Sequence, residues 1–431
     1  MGQSKDRIGV SERAILVGVG LSGVSREEVE DSLDELARLA DTAGAKIVGQ
    51  IAQYRERPDA AYFVGKGKAE EIADLYEALD ASSVIFDVDL SPAQTRNLEG
   101  LISGKIIDRS RLILDIFALH ARTREAMLEV ELAQLEYQLP RLTRMWTHLS
   151  RQVSGAGTRS GGIGTRGPGE KQLEIDRRLI RVRMSRLKGA LEKIRRNRQL
   201  ERQNRESMLT VALVGYTNAG KSSLLNSLAN ENLYTDDKLF STLDSITRIV
   251  HLPENHDMLL TDTVGFIKRL PHHLIASFRA TLEEVNEARM LLHVVDVSQP
   301  NAQERTLAVE EVLKELDALD KPTLMIFNKV DKLDDMSDMP ILRLKYPNNV
   351  ETSALSGAGL DNLKAKLLEV ASEDEIEVNV DIPQQEGQII NYVYDHGQVV
   401  EREFRGNLVH MRARMDRRYA GKLEKFMSSV S

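Results

Sequence analysis

Apolar and polar residues alternate over the first 120 positions in a way that predicts short strands separated by amphipathic helices. Serine residues at 25 and 91 are typical helix caps, the second followed by proline, and they predict helices reaching about residues 43 and 101. A further helix is expected to follow 65–68 and run through residue 79. The alternation favours a compact α/β domain over 1–120. Its predicted strands are 14–19, 46–52, 61–64, 82–88 and 105–108.

Residues 121–207 carry a different pattern, with apolar residues spaced alternately four and three positions apart in two runs. Two such heptad runs joined by a loop predict an antiparallel, coiled-coil-like helical hairpin. Pro140 falls inside the first run and is expected to kink that helix, because proline cannot donate to the carbonyl four residues earlier. The runs are Leu128, Leu132, Leu135, Leu139, Leu142, Trp146 and Leu149, and then Ile180, Met184, Leu187, Leu191 and Ile194.

The hairpin is also the basic part of an acidic chain. Residues 141–205 hold eighteen Arg or Lys and five Asp or Glu, a local balance of +13 in a chain of net charge −8. The connecting loop, 154–169, is rich in glycine and predicts a flexible cationic tip. This asymmetry indicates RNA binding by phosphate contact and shape, the alternative being a solvated helix face. The expected RNA contacts are Arg144, Arg151, Arg159 and Arg166.

From residue 208 to 371, strand-like apolar runs again alternate with helical segments, which predicts a second α/β domain with a mostly parallel sheet. The acidic run 372–377 is interpreted as a linker. Beyond it, 388–395, 398–404 and 407–414 are predicted as short strands, and 417–427 as a helix. The segment 372–431 is thus expected to form a linker and a small α+β domain.

A complete G-x-x-x-x-G-K-[ST] phosphate loop, GYTNAGKS, follows the apolar run 208–214. In such a loop the backbone N–H groups converge on phosphates at the start of a helix, the lysine neutralises phosphate oxygens, and the serine hydroxyl ligates Mg²⁺. Lys221 and Ser222 take those two roles here. The predicted nucleotide-binding residues of the loop are Gly215, Tyr216, Thr217, Asn218, Ala219, Gly220, Lys221, Ser222 and Ser223.

Further motifs, each following a strand-like run, narrow the nucleotide to GTP or GDP. Asp331 can accept two hydrogen bonds from the N1–H and exocyclic amine of guanine, a pair of donors that adenine lacks. Gly265 is expected to donate its N–H to the γ-phosphate, and Asp262 to hold Mg²⁺ indirectly through its outer ligands. The motif residues are Asn328, Lys329, Val330 and Asp331; Asp262, Thr263, Val264 and Gly265; and Ser353, Ala354 and Leu355, which would close over the base.

A hydroxyl between the phosphate loop and Asp262 is needed to complete the magnesium shell. Thr242 is the best placed, so we expect Ser222 and Thr242 as the metal ligands. Lys221, Thr242 and Gly265 are accordingly the predicted catalytic residues. The segment around this threonine, also expected at the nucleotide, is Phe240, Ser241, Thr242, Leu243 and Asp244.

Two positions depart from the best-known GTPases. Phe266 stands where many of them carry a glutamine that orients the attacking water, so slow intrinsic hydrolysis is expected. His272, His273 or a partner's group could position the water instead, although exposed loop histidines are the simpler interpretation. Asn218 resembles the asparagine with which potassium-stimulated GTPases hold a monovalent cation, and it is equally consistent with a loop asparagine in a left-handed conformation.

Composition narrows the remaining possibilities. The chain has no cysteine, which excludes disulfides, thiol catalysis and cysteine zinc sites. The first thirteen residues lack an apolar leader segment, and no run approaches the roughly 18 apolar residues of a transmembrane segment. We therefore expect a cytoplasmic protein, monomeric when free. Lys66 and Lys68 precede or open a helix and could grip a second phosphate, but a plain glycine turn with exposed lysines is the favoured interpretation.

Motif order over nearly the whole chain resembles the HflX family of ribosome-associated GTPases, in the Obg-HflX superfamily of P-loop GTPases. The motifs are YFVGKGK at 62–68, DR at 108–109, GGIGTRGPGE at 161–170, the phosphate loop, and DTVGF at 262–266. The resemblance implies docking on the large ribosomal subunit and its rRNA, separation of stalled ribosomes by the GTP-bound protein under stress, and ribosome-stimulated hydrolysis. It also implies, for some members, ATP use by the N-terminal domain, with Lys66 and Lys68 as candidates.

The expected function is therefore a GTP hydrolase, slow alone, that is switched by GTP on the ribosome and released by hydrolysis. Three alternatives stay open at this stage. The first is a GTPase that assembles the large subunit, and the second is a nucleotide-gated RNA-binding protein with little turnover. The third is an RNA remodeller driven by ATP at the N-terminal domain.

Overall fold

The computed structural model describes residues 12–142, 168–203, 208–229, 239–240, 243–253, 256–269, 271, 282–299, 301–333, 339–372 and 375–427. Spatial proximity divides the chain into two compact units. Unit 1 is Met1–Arg198 with Asp236–Asp244 and Arg269–Thr281, and unit 2 is Gln199–Thr235, Ser245–Lys268 and Leu282–Ser431. The predicted domains and the compact units therefore differ at three short segments, 199–207, 236–244 and 269–281.

Unit 1 begins with a parallel sheet whose described strands lie in the order β2-β1-β3-β4. Its core is built from the apolar faces of these strands and of the helices between them, as the alternating pattern predicted. Ser25 accepts the Glu28 N–H at 3.0 Å, and a reciprocal capping box joins Ser91 and Gln94, so both predicted caps are confirmed. The elements are β1 Arg13–Gly20, α1 Arg26–Thr42, β2 Lys46–Tyr54, α2 Lys66–Ala78, β3 Ser83–Phe86, α3 Pro92–Ile102, β4 Lys105–Ile107 and α4 Arg109–His120.

The predicted strand at 61–64 is wrong. These residues form a turn in which the Asp59 carboxylate accepts the N–H groups of Ala61 and Tyr62 at 2.8 and 3.1 Å. Phe63 lies in the left-handed region at φ 66°. A side chain that bonds its own local backbone competes with a sheet ladder, and here the local bonds prevail.

A buried ionic network lies at the carboxyl end of β3. The Arg109 guanidinium donates to Asp87 at 2.5 Å and also to Glu35, and Ser32 donates to Asp87 at 2.5 Å. Arg109 and Asp87 are both buried. Burial raises the pKa of the Asp87 carboxyl, and the neighbouring Arg109 charge opposes that rise. The arginine charge is therefore neutralised inside the domain.

The helical hairpin consists of α5 Arg124–Leu142 and α6 Pro168–Gln203. Leucines of both heptad runs meet in one cluster, which confirms the antiparallel pairing over its described part. Ion pairs flank the seam: Arg183 with Glu131 at 2.7 Å and Lys188 with Glu136 at 3.0 Å. Pro140 lies inside α5. The cluster residues are Leu128, Leu132, Leu135, Met184, Leu187 and Leu191.

Unit 2 contains a mixed sheet whose described strands lie in the order β10-β9-β8-β5-β7-β6, parallel except for the β6–β7 pair. This is the mostly parallel sheet that the sequence predicted. Its elements are β5 Leu209–Gly215, α7 Lys221–Ala229, β6 Ile246–Leu252, β7 His256–Asp262, α8 Glu283–Glu287, β8 Met290–Asp296, α9 Ala302–Glu315, β9 Thr323–Asn328, α10 Met339–Lys345, β10 Asn349–Thr352 and α11 Leu360–Ala371, with a 3₁₀ turn at Val330–Lys332.

The carboxyl-terminal domain is an antiparallel sheet in the order β11-β13-β12 with a helix packed on it. Two predictions were wrong here. The segment 388–395 is helical, because Ile389, Ile390 and Val393 share one face at helical spacing. The acidic linker already contains the start of β11, whose alternate residues from 376 to 382 are apolar. The elements are β11 Glu375–Pro383, α12 Gly387–His396, β12 Gly397–Arg405, β13 Leu408–Asp416, α13 Arg417–Ala420 and a 3₁₀ turn Gly421–Phe426.

Candidate guanine-nucleotide site

The phosphate loop joins β5 to α7 at the carboxyl edge of the six-stranded sheet. Gly215 has φ 151°, and a Cβ there would lie 2.3 Å from the Val294 carbonyl oxygen. Gly220 has φ 95°, and its Cβ would lie 2.3 Å from Asn328 Nδ2. Both motif glycines are therefore required by conformation and by close packing. The loop leaves its helix N-terminus suited to an anion.

Lys221 is the buried cation of this edge, with 6% of its surface exposed. Its Nζ donates to the carbonyl oxygens of Tyr216 at 2.9 Å and Gly215 at 3.2 Å. Burial lowers the pKa of Lys221 to about 8; the nearby Lys329 charge adds to this effect and Asp262 opposes it. A phosphate oxygen beside Nζ would restore the charged form. The site therefore favours an anionic ligand.

Ser222 and Asp262 supply oxygen donors next to this lysine. The Ser222 hydroxyl donates to Asp262 Oδ2 at 2.5 Å, and Asp262 is fully buried at the end of β7. Hydroxyl and carboxylate oxygens are the ligand type that Mg²⁺ prefers, so the donor set fits that ion. Bound there, Mg²⁺ would neutralise phosphate charge.

The segment after Asp262 is attached to the phosphate loop by backbone bonds. Phe266 donates its N–H to Gly215 O at 3.1 Å, and its carbonyl accepts the Thr217 N–H at 2.8 Å. A Cβ at Gly265 would lie 2.8 Å from Thr217 Cα and 3.0 Å from Lys221 Nζ, so only glycine fits. The Phe266 ring is fully buried, which excludes it as a water-orienting group. Thr263 and Val264 are also buried.

The motif Asn328–Asp331 contacts the loop from the end of β9, which is separated from β5 by β8. Asn328 donates to Ala219 O at 2.9 Å and accepts the Ala354 N–H at 3.1 Å. Lys329, at φ 67°, donates to Asn218 O at 2.7 Å and to Asp296 at 2.8 Å. These bonds bring three sequence-distant motifs together. Val330 and Asp331 lie in the 3₁₀ turn, with the Asp331 side chain exposed.

Sequence reasoning did not single out two residues of this site. Asp296 ends β8 and bonds Lys329, and its signal was a carboxylate directly after a buried apolar run. His293 lies within β8, and burial, followed by the nearby Lys221 charge, lowers its pKa to about 3. It is therefore neutral near neutral pH and adds no charge beside the lysine.

Residues 239–240 and 243–244 lie in unit 1. The Phe240 ring packs edge-on against Phe117 with centroids 4.8 Å apart, and Leu243 is buried. Asp244 accepts the N–H groups of Arg122 and Thr123 at 3.0 and 3.1 Å, just before α5 begins. The residue that caps that helix is Thr123, whose Oγ1 accepts the Ala126 N–H at 3.2 Å, and the Asp244 carboxylate accepts both the N–H and the hydroxyl of this capping residue. Nucleotide binding by Phe240, Leu243 and Asp244 remains a prediction.

The other predicted residues divide into those described and those outside the described ranges. Ser353 donates its N–H to Ala358 O at 2.9 Å, and the Leu355 side chain is exposed. Asn218 is exposed at φ 58°. Ser223 lies in the first turn of α7. Residues outside the described ranges are Ser241, Thr242, Arg144, Arg151, Arg159, Arg166, His272 and His273.

Lys66 and Lys68 each pair with a nearby glutamate, and a second phosphate site at these lysines stays a prediction. Lys66 is exposed and lies 3.7 Å from Glu70, whereas Lys68 lies 2.6 Å from Glu71. Both pairs are neighbours on the surface of α2.

Among the helices that the structure describes, none has an apolar stretch of the length needed to span a bilayer.

Four family models cover most of the chain. They are "GTP-binding GTPase N-terminal" at 30–118, "GTP-binding GTPase Middle Region" at 120–205, "50S ribosome-binding GTPase" at 210–329 and "HflX C-terminal domain" at 343–431. Among solved structures, the chain is similar to a GTP-binding protein from Sulfolobus solfataricus in complex with GDP, with 25% identity, 84% of this chain and 99% of that chain covered, and a TM-score of 0.42.

Curated relatives match over nearly their full length. GTPase HflX of Escherichia coli (strain K12) is 44% identical over 402 residues, which are 93% of this chain and 92% of that protein. GTPase HflX of Lacrimispora saccharolytica is 43% identical over 406 residues, 94% of this chain and 93% of that protein. The phosphate loop, the Asn328–Asp331 motif and these matches agree. The chain belongs to the HflX family of GTPases.

Proposed function

We propose that this protein hydrolyses GTP and binds the large ribosomal subunit, that its GTP-bound form helps to separate stalled ribosomes into subunits, and that hydrolysis releases it. The observation that carries the GTPase part is the assembly of Lys221, Asn328 and Lys329 around one glycine loop. The ribosomal part is supported by the match of 210–329 to a family described as a 50S ribosome-binding GTPase.

Each described residue has a physical task in this proposal. Lys221 neutralises the charge of the phosphate oxygens, and the carbonyl oxygens of Gly215 and Tyr216 hold its Nζ in place. Asp331 accepts the two guanine donors, and the Lys329 stem covers the loop beside Gly220. Gly265 would donate its N–H to the γ-phosphate, and only glycine fits at this position because any side chain would collide with Thr217. These groups bind and orient GTP.

The same geometry supports the expectation that hydrolysis is slow without a partner. Phe266 is buried and cannot orient water, so a group that does so must come from elsewhere. We infer that the ribosome orders that group. Docking is supported by the basic helix α6, where Arg177, Arg178 and Arg181 add positive charge to the hairpin.

The decisive experiment measures steady-state GTP hydrolysis in potassium buffer, alone, with purified large subunits and with whole ribosomes, alongside sedimentation of those ribosomes. Stimulation together with a shift from whole ribosomes to subunits is the expected result. Lys221→Ala is the matched control, because it removes the phosphate-binding cation. Stimulation without any shift toward subunits would favour a large-subunit assembly role, and absence of stimulation by either particle would contradict ribosome-coupled turnover.

The proposal also includes a monovalent cation bound beside Asn218. Asn218 is exposed in the loop at φ 58°, beside the carbonyl that bonds Lys329. We propose that its side chain helps to hold K⁺ next to the phosphates. Asn218→Ala should lower GTP turnover more in KCl than in NaCl. Equal loss in the two salts would remove the cation from the mechanism and leave Asn218 as a left-handed loop residue.

A further inference from the structure

The second residue of the phosphate loop makes contacts that a phosphate-binding backbone does not require. Tyr216 is 6% exposed, although most residues are tolerated at this position of the motif. Its phenolic oxygen accepts the Lys268 N–H at 2.7 Å. Its own carbonyl accepts from Lys221 Nζ at 2.9 Å. One residue therefore links the buried lysine to the chain that follows Gly265.

That link extends an existing attachment. Phe266 and the loop exchange two backbone bonds, Phe266 N–H to Gly215 O at 3.1 Å and Thr217 N–H to Phe266 O at 2.8 Å. The Tyr216 hydroxyl continues the series two residues further, to Lys268. Three hydrogen bonds thus hold 266–268 against the loop. The position of Gly265 N–H depends on the same attachment.

Helix α9 supports this arrangement from outside. The Arg305 guanidinium lies over the Tyr216 ring, 5.1 Å from its centroid, a cation–π distance. The neighbouring Glu304 carboxylate pairs with Lys268 Nζ at 2.5 Å. Arg305 and Glu304 are adjacent in α9, and they contact the Tyr216 ring and the Lys268 side chain respectively. Lys268 is also the residue whose N–H the Tyr216 hydroxyl accepts.

We propose that Tyr216 is a positioning residue for GTP hydrolysis: through its hydroxyl it fixes the path of 266–268 relative to Lys221. The hydroxyl contacts neither base nor phosphate in this role. Its loss should loosen the segment after Gly265 while leaving the cradle for the α- and β-phosphates in place. Loss of the hydroxyl should therefore lower GTP turnover and leave the affinity for guanine nucleotides nearly unchanged.

Tyr216→Phe tests this, because it removes the hydroxyl and keeps the ring under Arg305. In the nucleotide-free protein, amide exchange of the peptide spanning 264–269 should become about 2- to 10-fold faster, as for the loss of one neutral hydrogen bond. The intrinsic kcat for GTP should fall by a similar factor, about 2- to 10-fold, with KM and the Kd for GDP within about 2-fold of wild type.

Tyr392→Phe is the matched control, since it removes a phenolic hydroxyl in the carboxyl-terminal domain, where Tyr392 bonds Tyr419 O at 3.5 Å. It should change neither the exchange of 264–269 nor kcat. Arg305→Gln removes the cation that lies over the Tyr216 ring, and it should accelerate amide exchange of the peptide 264–269 less than Tyr216→Phe does. Unchanged exchange in Tyr216→Phe, or equal losses of GDP affinity and kcat, would overturn the proposal. Both readings are made without ribosomes, so they stand apart from the outcome of the splitting experiment.

Discussion

The four-stranded and six-stranded sheets both lead into a helix through a glycine–lysine sequence, yet they treat the lysines in opposite ways. Lys66 has 74% of its side chain exposed and faces Glu70, and Lys68 pairs with Glu71. Lys221 is buried, and its Nζ donates to the carbonyl oxygens of Gly215 and Tyr216. The difference lies in the loop, because 215–220 folds back over the cation and 65–66 does not. Isolation from water by the backbone is what makes the buried Lys221 favour a bound anion.

Buried cations sharpen the comparison. In the four-stranded sheet the buried cation is Arg109, and two carboxylates, Asp87 and Glu35, neutralise it. In the six-stranded sheet Lys221 keeps a lowered pKa of about 8, with burial as the largest cause. The first arrangement is complete within the protein, whereas the second is completed by an anion. One sheet uses its cation for stability and the other for binding.

The largest effect is expected from Lys221→Ala. GTP turnover should fall by about 10²- to 10³-fold, because a preorganised cation at the phosphates is lost. Lys66→Ala serves as the control for removal of a lysine near a glycine turn and should retain wild-type turnover. Initial rates at saturating GTP give the measurement. A loss below tenfold in Lys221→Ala would show that the isolated charge is not the main catalytic contribution of this edge.

Arg109→Met should destabilise unit 1 by about 3–5 kcal/mol, because it removes the guanidinium that pairs the buried Asp87 carboxylate with the half-buried Glu35 carboxylate. Urea unfolding followed by circular dichroism measures the change. Arg183→Met breaks an exposed pair with Glu131 and should leave the urea midpoint close to that of the wild type. If the two variants have the same free energy of unfolding, the buried network contributes no more to stability than a surface ion pair does.

GDP affinity should fall about 4-fold between pH 7 and 8.5, because binding favours protonated Lys221 and its pKa in the free protein is about 8. Calorimetry in buffers of different ionisation enthalpy should show proton uptake on binding. The folded pKa lies below the unfolded value, so this group disfavours the nucleotide-free fold below pH 8, and its contribution improves as pH rises from about 8 toward 10. Binding without proton uptake at pH 8.5 would contradict the assignment.

The smallest effect is expected from Lys66→Ala combined with Lys68→Ala. Both lysines belong to surface pairs at helical spacing, which contribute little, so GTP turnover should stay within about 2-fold and stability within about 1 kcal/mol of wild type. ATP binding is also measured, in Lys221→Ala and in the triple variant. If Lys221→Ala binds ATP and the triple variant does not, that result would support a second phosphate site at α2.

Local signals carried most of what could be predicted from the sequence. Heptad spacing, helix caps and the phosphate loop each act within a few residues, and the fold class and the hairpin seam are confirmed. Two errors arose where composition masked periodicity: the acidic residues around Ile376 resembled a linker, and the helix 387–396 resembled a strand. The strand predicted at 61–64 was wrong for another reason, because the Asp59 carboxylate bonds the local backbone there. Contacts such as Lys329 with Asp296 or Tyr216 with Lys268 join distant positions, so no local pattern reveals them.

The contact between Asp244 and Thr123 has a consequence for how the protein is made. Thr123, the residue that caps α5, leaves the translating ribosome 121 residues before Asp244. Throughout that interval Thr123 can accept the Ala126 N–H, but it lacks the carboxylate to which its own N–H and hydroxyl donate in the finished protein. The amino-terminal unit therefore gains this contact only after part of the GTPase domain has been synthesised, and a fragment ending at 207 would never make it.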